Sequence, residues 1–409
     1  MVRLFFVPLV LTTACPSWIS VMGHKATKDV KRLTAPEMRG RSARTFGGAI
    51  AAAWIEARFR EIGLAPAGDH ATYFQQFESS QKDGALAMAN VVAVLPGDGA
   101  ETIVIGAHYD HLGHGEPGSL GKAGEIHPGA DDNASGVAAM LGAARELKRR
   151  GGAGGRRTVV FIAFAGEERG ILGSSHFVRA TTNRFGKIVA MLNLDMVGRL
   201  RNDTLMALGA GSGNEFAALF AEVAAKCCEL HVRVSGGGYG PSDHTPFYAR
   251  GIPVAHFFTG AHTDYHKPSD TADRLNYTGI GKIALFVTEV ALRLAKAVKP
   301  PTFVRLKDTA PAAGRGYGVY LGTVPRFGTP GPGVEIDGVR TGSPAELAGL
   351  KQGDVIRRLG TFKVDTLEDL TRALRSLKPE DTVGVVVERV ADGKKTEFLN
   401  KVTLKKRGN

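Results

Sequence analysis

Three apolar runs end in groups that bind metals or move protons. TIVIGAHYD at 102–110 ends in His108 and Asp110, RTVVFIAFAGEE at 157–168 ends in Glu167 and Glu168, and IVAMLNLDM at 188–196 carries Asp195 near its end. Between the first two, HPGADDNASG at 127–136 supplies Asp131 and Asp132, and TDYHKPSDT at 263–271 brings His266. Several carboxylates cannot share a partly dry space as anions unless a cation compensates them. Imidazole and carboxylate without thiolate suit zinc or a neighbouring divalent ion. Two ions use this donor set better than one, because each needs only a few ligands and a carboxylate between them can bridge.

Individual roles follow from spacing, up to a point. In HYD, positions 108 and 110 face the same side of an extended strand, so Asp110 is expected to orient the His108 ring. A turn at Gly166 or Gly170 would direct both Glu167 and Glu168 into one cavity, one as ligand and one as the base that takes a proton from water. Glu167 is read as the base and Glu168 as the ligand, a choice that spacing alone does not make. Either Asp131 or Asp132 can bridge while the other turns away, and either can cap the helix that follows. Asp195 is a ligand candidate because a charge inside an apolar run is costly unless paired. His244, His256, His262 and His266 compete for the remaining imidazole position, with His256 readable as an interior histidine and His262 as a pocket wall.

The elements that must hold these groups read as α/β. Short β-branched runs at 90–97, 102–110, 157–168 and 188–196 are buried strands, and apolar spacing predicts helices at 45–62, 135–150, 216–228 and 279–298. Reactive groups in such a sheet gather beyond the carboxyl ends of its strands. The composition changes at 299–316, which contains PP, AP and isolated glycines, as expected of a linker. Residues 317–409 then form a smaller α+β domain, with one helix begun by Ser343-Pro344 and a longer one at about 366–376 capped by Asp365 or Thr366.

The chain has 409 residues, 43% of them hydrophobic and 22% charged, enough for two domains with sizeable cores. Its net charge of +12 comes from scattered basic residues without interleaved aromatics, so no nucleic-acid partner is expected. Residues 1–22 are apolar after one arginine and broken by Pro8 and Pro16, which predicts a signal segment and a secreted or periplasmic protein with no integral membrane span after its removal. The box LTTAC, ending at Cys15, admits lipoprotein anchoring. Of the three cysteines, the adjacent Cys227 and Cys228 are expected to be a buried, unbridged pair.

Six stretches together resemble the zinc aminopeptidases of metallopeptidase family 28, of the bacterial leucyl aminopeptidase type, and more distantly glutamate carboxypeptidase and glutaminyl cyclase: GAHYDHLG at 106–113, HPGADDNASG, FAGEERGILGS at 164–174, LNLDMVGR at 192–199, YGPSDHTPF at 239–247 and HTDYHKPSDT at 262–271. The resemblance covers roughly 40–295 and implies a mixed, largely parallel sheet flanked by helices over residues 23–298. It also implies two zinc ions per chain, with His108 and Asp195 on one, Glu168 and His266 on the other, and Asp132 bridging. It agrees with Glu167 as base and with Asp110 as the residue orienting His108. Tyr239 would stand near the oxyanion, and Asp243 would line the pocket in an indirect role. GSPAELAGLKQGDVIRRLG at 342–360 resembles a PDZ domain of the bacterial protease type, in which a peptide or protein C terminus adds as a strand; GPGVEIDGV at 331–339 is the expected edge.

The expected activity is therefore release of N-terminal amino acids from peptides with a free N terminus. Carboxypeptidase action would need a basic subsite for a terminal carboxylate, and no arginine can be assigned to it. Cyclase action would predict one metal. A non-catalytic peptide-binding protein would be expected to have a broken metal set, whereas this one is intact.

Overall fold

A computed structural model of the chain describes residues 16–81, 84–116, 118–122, 124–151, 155–180, 184–235, 237–306, 319–325, 332–340, 342–365, 367–391 and 394–406. The first domain runs through α1 Pro16–Leu33, α2 Phe46–Ile62, β1 Ala65–Pro66, β2 Phe74–Gln81, β3 Gly84–Leu95, β4 Glu101–His108, α3 Gly136–Arg149, β5 Arg157–Phe164, α4 Leu172–Ala180, β6 Lys187–Leu194, β7 Thr204–Leu208, α5 Phe216–Cys227, β8 His231–Ser235, α6 His244–Ala249, β9 Val254–Phe258 and α7 Tyr277–Lys296. Its nine strands form one sheet in the order β1-β3-β5-β4-β6-β9-β7-β8, with β2 paired to β3. The central strands β5, β4, β6 and β9 are parallel. β3 joins β5 antiparallel and β7 joins β9 antiparallel, so the sheet is mixed, as expected.

β4 shows why these runs are strands buried on both faces. Ile103, Ile105 and Ala107 enter the core beneath α1, α2, α3, α5 and α7, while Val104 enters the opposite core, where α4 and α6 bring Phe177 and Phe247 against Phe164. Gly106 is required at this point: a Cβ there would lie 2.4 Å from the ring of Phe164, the last residue of β5. The close approach keeps the ends of β4 and β5 level. The expected helix over 45–62 is α2, ended by Gly63 at φ 79.

The expected signal boundary at residue 22 lies within α1, where Met22 is buried and Ile19 packs on the same core. Gly23 and Gly281 let α1 and α7 touch backbone to backbone, since a Cβ on Gly281 would lie 2.5 Å from the Ile19 carbonyl oxygen. The earlier part of the predicted signal, including Cys15, lies outside the described residues. Cys227 and Cys228, expected unbridged, are joined by a disulfide. α5 ends at Cys227, and at φ −137 Cys228 has left the helical path that would splay the two side chains.

The second domain contains β10 Val319–Tyr320, β11 Thr323–Pro325, β12 Val334–Val339, α8 Pro344–Leu347, β13 Val355–Leu359, β14 Phe362–Lys363, α9 Leu367–Ser376, β15 Thr382–Ala391, β16 Lys394–Thr403 and β17 Lys405–Lys406. Ser343 caps α8 by accepting from the Glu346 amide. For α9, the suggested cap Thr366 and part of the linker before this domain lie outside the described residues. The expected peptide-accepting edge is also corrected. β12 is held on both sides, by β11 over Ile336–Val339 and by β13 at Val334 and Glu335, so β11 is the end strand of the path. Among the described residues no helix is long and apolar enough to cross a membrane.

Candidate metal centre

The carboxyl ends of β4, β5 and β6 lie side by side, and the loops beyond them converge. β4 delivers His108 as its last residue, while Asp195 follows β6 directly. After β5 the chain turns through Gly166 at φ 70 and Gly170 at φ 107, with the Gly170 amide bonded to the Glu167 carbonyl. That turn brings both adjacent glutamates inward, leaving their side chains 12% and 6% exposed. Arg169, the natural neutraliser of an exposed glutamate pair, instead pairs with Glu116 at 3.0 Å.

Asp131 and Asp132 part company at the start of the α3 approach. Asp131 turns away: its Oδ1 accepts from the Gly198 amide at 2.6 Å and its Oδ2 lies 3.1 Å from His262 Nε2. Asp132 faces the centre, with Oδ1 3.4 Å from His108 Nε2 and Oδ2 3.2 Å from His266 Nε2. Both backbone amides donate to Asp270 Oδ2, which fixes the turn.

Two groups of possible metal ligands result, and they share Asp132. The first is His108, Asp132 and Asp195; the second is His111, Asp132 and Glu168; within each group the donor atoms lie within 4.8 Å of one another. His108 Nε2 stands 3.4 Å from Asp195 Oδ1, and Asp195 Oδ2 is held by the Ser242 hydroxyl at 2.6 Å. His111 Nδ1 meets Glu168 Oε1 at 2.7 Å. His266 reaches the same pair from the other side, with Nε2 3.1 Å from Glu168 Oε2 and Nδ1 bonded to the Gly118 carbonyl at 2.9 Å. Glu167 belongs to neither group, yet its Oε2 lies 4.0 Å from His108 Nε2.

The charge pattern asks for cations. Although burial works against protonation, Asp195, Glu167 and Asp132 hold the His108 imidazole well above its ordinary pKa. Burial opposes the charge on His266 as well, but Asp132 and Glu168 raise it to about 11. Burial, reinforced by Glu168, Asp195 and Asp243, pushes the Glu167 carboxyl well above the usual carboxylate range against the pull of His108. Buried Asp110 Oδ2 and His111 Nε2 have no hydrogen-bond partner. Nitrogen and oxygen donors around two positions, without sulfur, fit a pair of zinc ions.

The remaining expected residues are placed as follows. Asp110 is fully buried, but its carboxylate is 3.9 Å from His108 Nδ1, which lies 3.2 Å from the Asp110 carbonyl oxygen instead. β4 stops at His108, so the strand alternation that would align the two side chains has already ended. Asp110 Oδ1 accepts from the Glu167 amide at 3.1 Å and so ties the β4 and β5 loops together. Asp243 is buried and accepts from the Ser174 hydroxyl at 2.5 Å. Tyr239 is buried edge-on against Tyr248, and its hydroxyl meets Gly338 of β12. His244 and His256 pack together, ring centroids 4.8 Å apart. Sequence reasoning assigned nothing to His111, Ser242 or Asp270; for His111 the signal was there, three residues beyond His108 on the same strand exit.

Comparison with known proteins now decides the family. The family model described as "Peptidase family M28" matches residues 90–291, and a PDZ domain model matches residues 304–402. Residues 90–291 form a peptidase family M28 domain, and a PDZ domain follows it. The chain is 34% identical over 170 residues to a probable leucine aminopeptidase of Trichophyton verrucosum, covering 40% of this chain and 44% of the relative. It spans about half the length of the curated relatives it matches. Among solved structures, the Legionella pneumophila LapA aminopeptidase is similar with TM-score 0.57 and 23% identity, over 69% of this chain and 75% of that one. Porphyromonas gingivalis glutaminyl cyclase is similar with TM-score 0.54 and 21% identity, over 66% and 96%. These two likenesses establish the fold and leave the reaction to the site.

Proposed function

We propose that this chain is a zinc-dependent aminopeptidase that removes N-terminal residues from peptides. One observation carries the reading: Asp132 is shared by two imidazole–carboxylate groups, while Glu167 belongs to neither and has its Oε2 4.0 Å from His108 Nε2. Two zinc ions bound there would polarise a scissile carbonyl and lower the pKa of water. His108 and Asp195 would hold one ion and Glu168 and His266 the other, with Asp132 offering one oxygen toward each pair.

Glu167 takes the proton of the attacking water and returns it to the leaving amine. Its carboxylate lies beside the first ligand group without joining it, as a base acting on water there must. Ser242 keeps Asp195 in place, and Asp110 holds the Glu167 backbone. Tyr239 is assigned to the developing oxyanion on the family resemblance alone. The names of the relatives as leucine aminopeptidases support the free N terminus as the substrate feature. The second ligand group counts against a one-metal cyclase, although the fold is shared with one.

We also propose that the PDZ domain takes a peptide or protein C terminus along β11, and that the protein is exported by a segment ahead of α1. The deciding experiment is amino-acid release from short peptides and their N-acetylated copies by metal-stripped enzyme refilled with zinc. Release confined to free N termini and dependent on zinc supports the reading; equal cleavage of both sets, or none by zinc-loaded protein, overturns it.

A further inference from the structure

Arg41 ends the short segment Pro36–Arg41 between α1 and α2 and has a relative exposure of 0%. Its guanidinium makes four hydrogen bonds, all to carbonyl oxygens: Nε to Tyr109 at 2.9 Å, Nη1 to Leu33 at 2.8 Å and to Pro128 at 2.6 Å, and Nη2 to Gly129 at 2.8 Å. A buried cation that meets only neutral acceptors is expensive unless opposite charge stands nearby. Burial lowers the Arg41 pKa to about 10, and the carboxylates that act against this are Asp132, Asp270, Asp110 and Glu168. The compensating charge is thus the acidic centre itself.

The bonds join the two turns that carry the ligands. Tyr109 sits between His108 and Asp110, while Pro128 and Gly129 lead into Asp131 and Asp132. The backbone repeats the connection, since the His111 amide donates to the Arg41 carbonyl and the Gly113 amide to that of Gly40. Arg39, Gly40 and Arg41 all have positive φ, at 49, 66 and 48. Successive left-handed residues are costly and persist where the surroundings demand them. Here they turn the side chain beneath both loops.

We infer that Arg41 is a positioning residue of the metal centre, tying the His108–His111 turn to the Pro128–Asp132 turn so that His108 and the shared Asp132 keep ligand spacing. The inference rests on the metal-centre reading and goes beyond it by assigning a residue that touches no ligand side chain. Lysine keeps the charge but has three donors on one atom and cannot span four carbonyls on three segments.

The test uses cobalt(II) as the metal probe, with uptake measured by titration and geometry by its visible absorption, on the full chain. Arg157 provides the control. It too is buried and bonded to the Leu294 and Ala297 carbonyls, but it starts β5, more than about 20 Å of strand from the centre. Arg41→Lys is expected to weaken cobalt uptake about tenfold or more and to change the absorption per ion, the scale seen when groups behind metal ligands are altered. Arg157→Lys is expected to lower the melting temperature with uptake and spectrum unchanged. Arg41→Gln gives the same comparison if the lysine variant is not recovered folded.

Wild-type uptake and spectrum in the Arg41 variants would overturn the inference, as would an equal effect from Arg157→Lys. Failure of both Arg41 variants to fold, with Arg157→Lys folded, would assign Arg41 to the fold instead. If the wild type takes up no cobalt, the metal-centre reading itself falls, an outcome distinct from these.

Discussion

A Cβ placed on Gly338 would lie 2.3 Å from the hydroxyl oxygen of Tyr239. The PDZ strand β12 therefore presses its bare backbone onto a residue of the peptidase domain, and the Arg340 guanidinium lies 5.4 Å from the centre of the same ring. Gly338→Ala forces either Tyr239 or the strand to move, and Tyr239→Phe removes the atom that obstructs it. Peptide turnover in a double-mutant cycle is expected to show a coupling of at least about 0.5 kcal/mol, the range found for residues in contact. Additive effects would mean that the strand does not bear on Tyr239.

Glu167 and Glu168 are neighbours with different assignments. Glu167→Gln should lower kcat by about 10² to 10⁴-fold, typical for loss of a general base, while two zinc ions remain bound. Glu168→Gln should lower zinc content because it removes an oxygen from the second ligand group. Metal analysis of the purified variants beside their kinetics separates the two. Loss of zinc from the Glu167 variant would exchange the assignments.

Much of this centre was legible in the sequence because strand ends are easy to read. Apolar runs stop where His108, Glu167 and Asp195 begin, and parallel order brings those ends together. Spacing alone leaves Asp131 and Asp132 open and the family resemblance points to Asp132; the physical reason is three-dimensional, since Asp131 is taken up by the Gly198 amide and His262, groups far away in sequence. Arg41 was illegible for a related reason, since its partners Tyr109, Pro128 and Gly129 are backbone carbonyls that any residue supplies. The packing of residues 16–22 on the core was not legible, because an apolar leader and the apolar start of a helix look alike until the partner α7 is present.

His111 and His266 approach Glu168 from opposite sides, and the second metal position needs only one of them. His266 Nε2 is nearly equidistant from Asp132 Oδ2 and Glu168 Oε2, at 3.2 and 3.1 Å, whereas His111 Nδ1 is 2.7 Å from Glu168 Oε1 but 3.9 Å from Asp132 Oδ2. His266→Ala is therefore expected to reduce bound zinc from two ions to one. His111→Ala should retain two and weaken the second by about tenfold, as for a residue that orients a ligand. Zinc titration of both variants checks this, and the reverse pattern would make His111 the ligand.

The N-terminal helix supplies the last expectation. Met22 is 6% exposed, Ile19 packs on the same core and Trp18 lies under the Arg149 guanidinium at 4.5 Å, so residues before 23 contribute to the domain. The far end of α1 offers the Leu33 carbonyl to Arg41, which links the helix to the metal centre. A chain beginning at residue 23 loses the first two turns of α1, and removal of one large buried side chain alone costs about 2–5 kcal/mol. Its melting temperature should fall by several degrees relative to a chain beginning at residue 16, and bound zinc should add less stability to it. Equal melting temperatures for the two chains would show that the first turns of α1 do not hold the domain together, as expected of a signal that ends at residue 22.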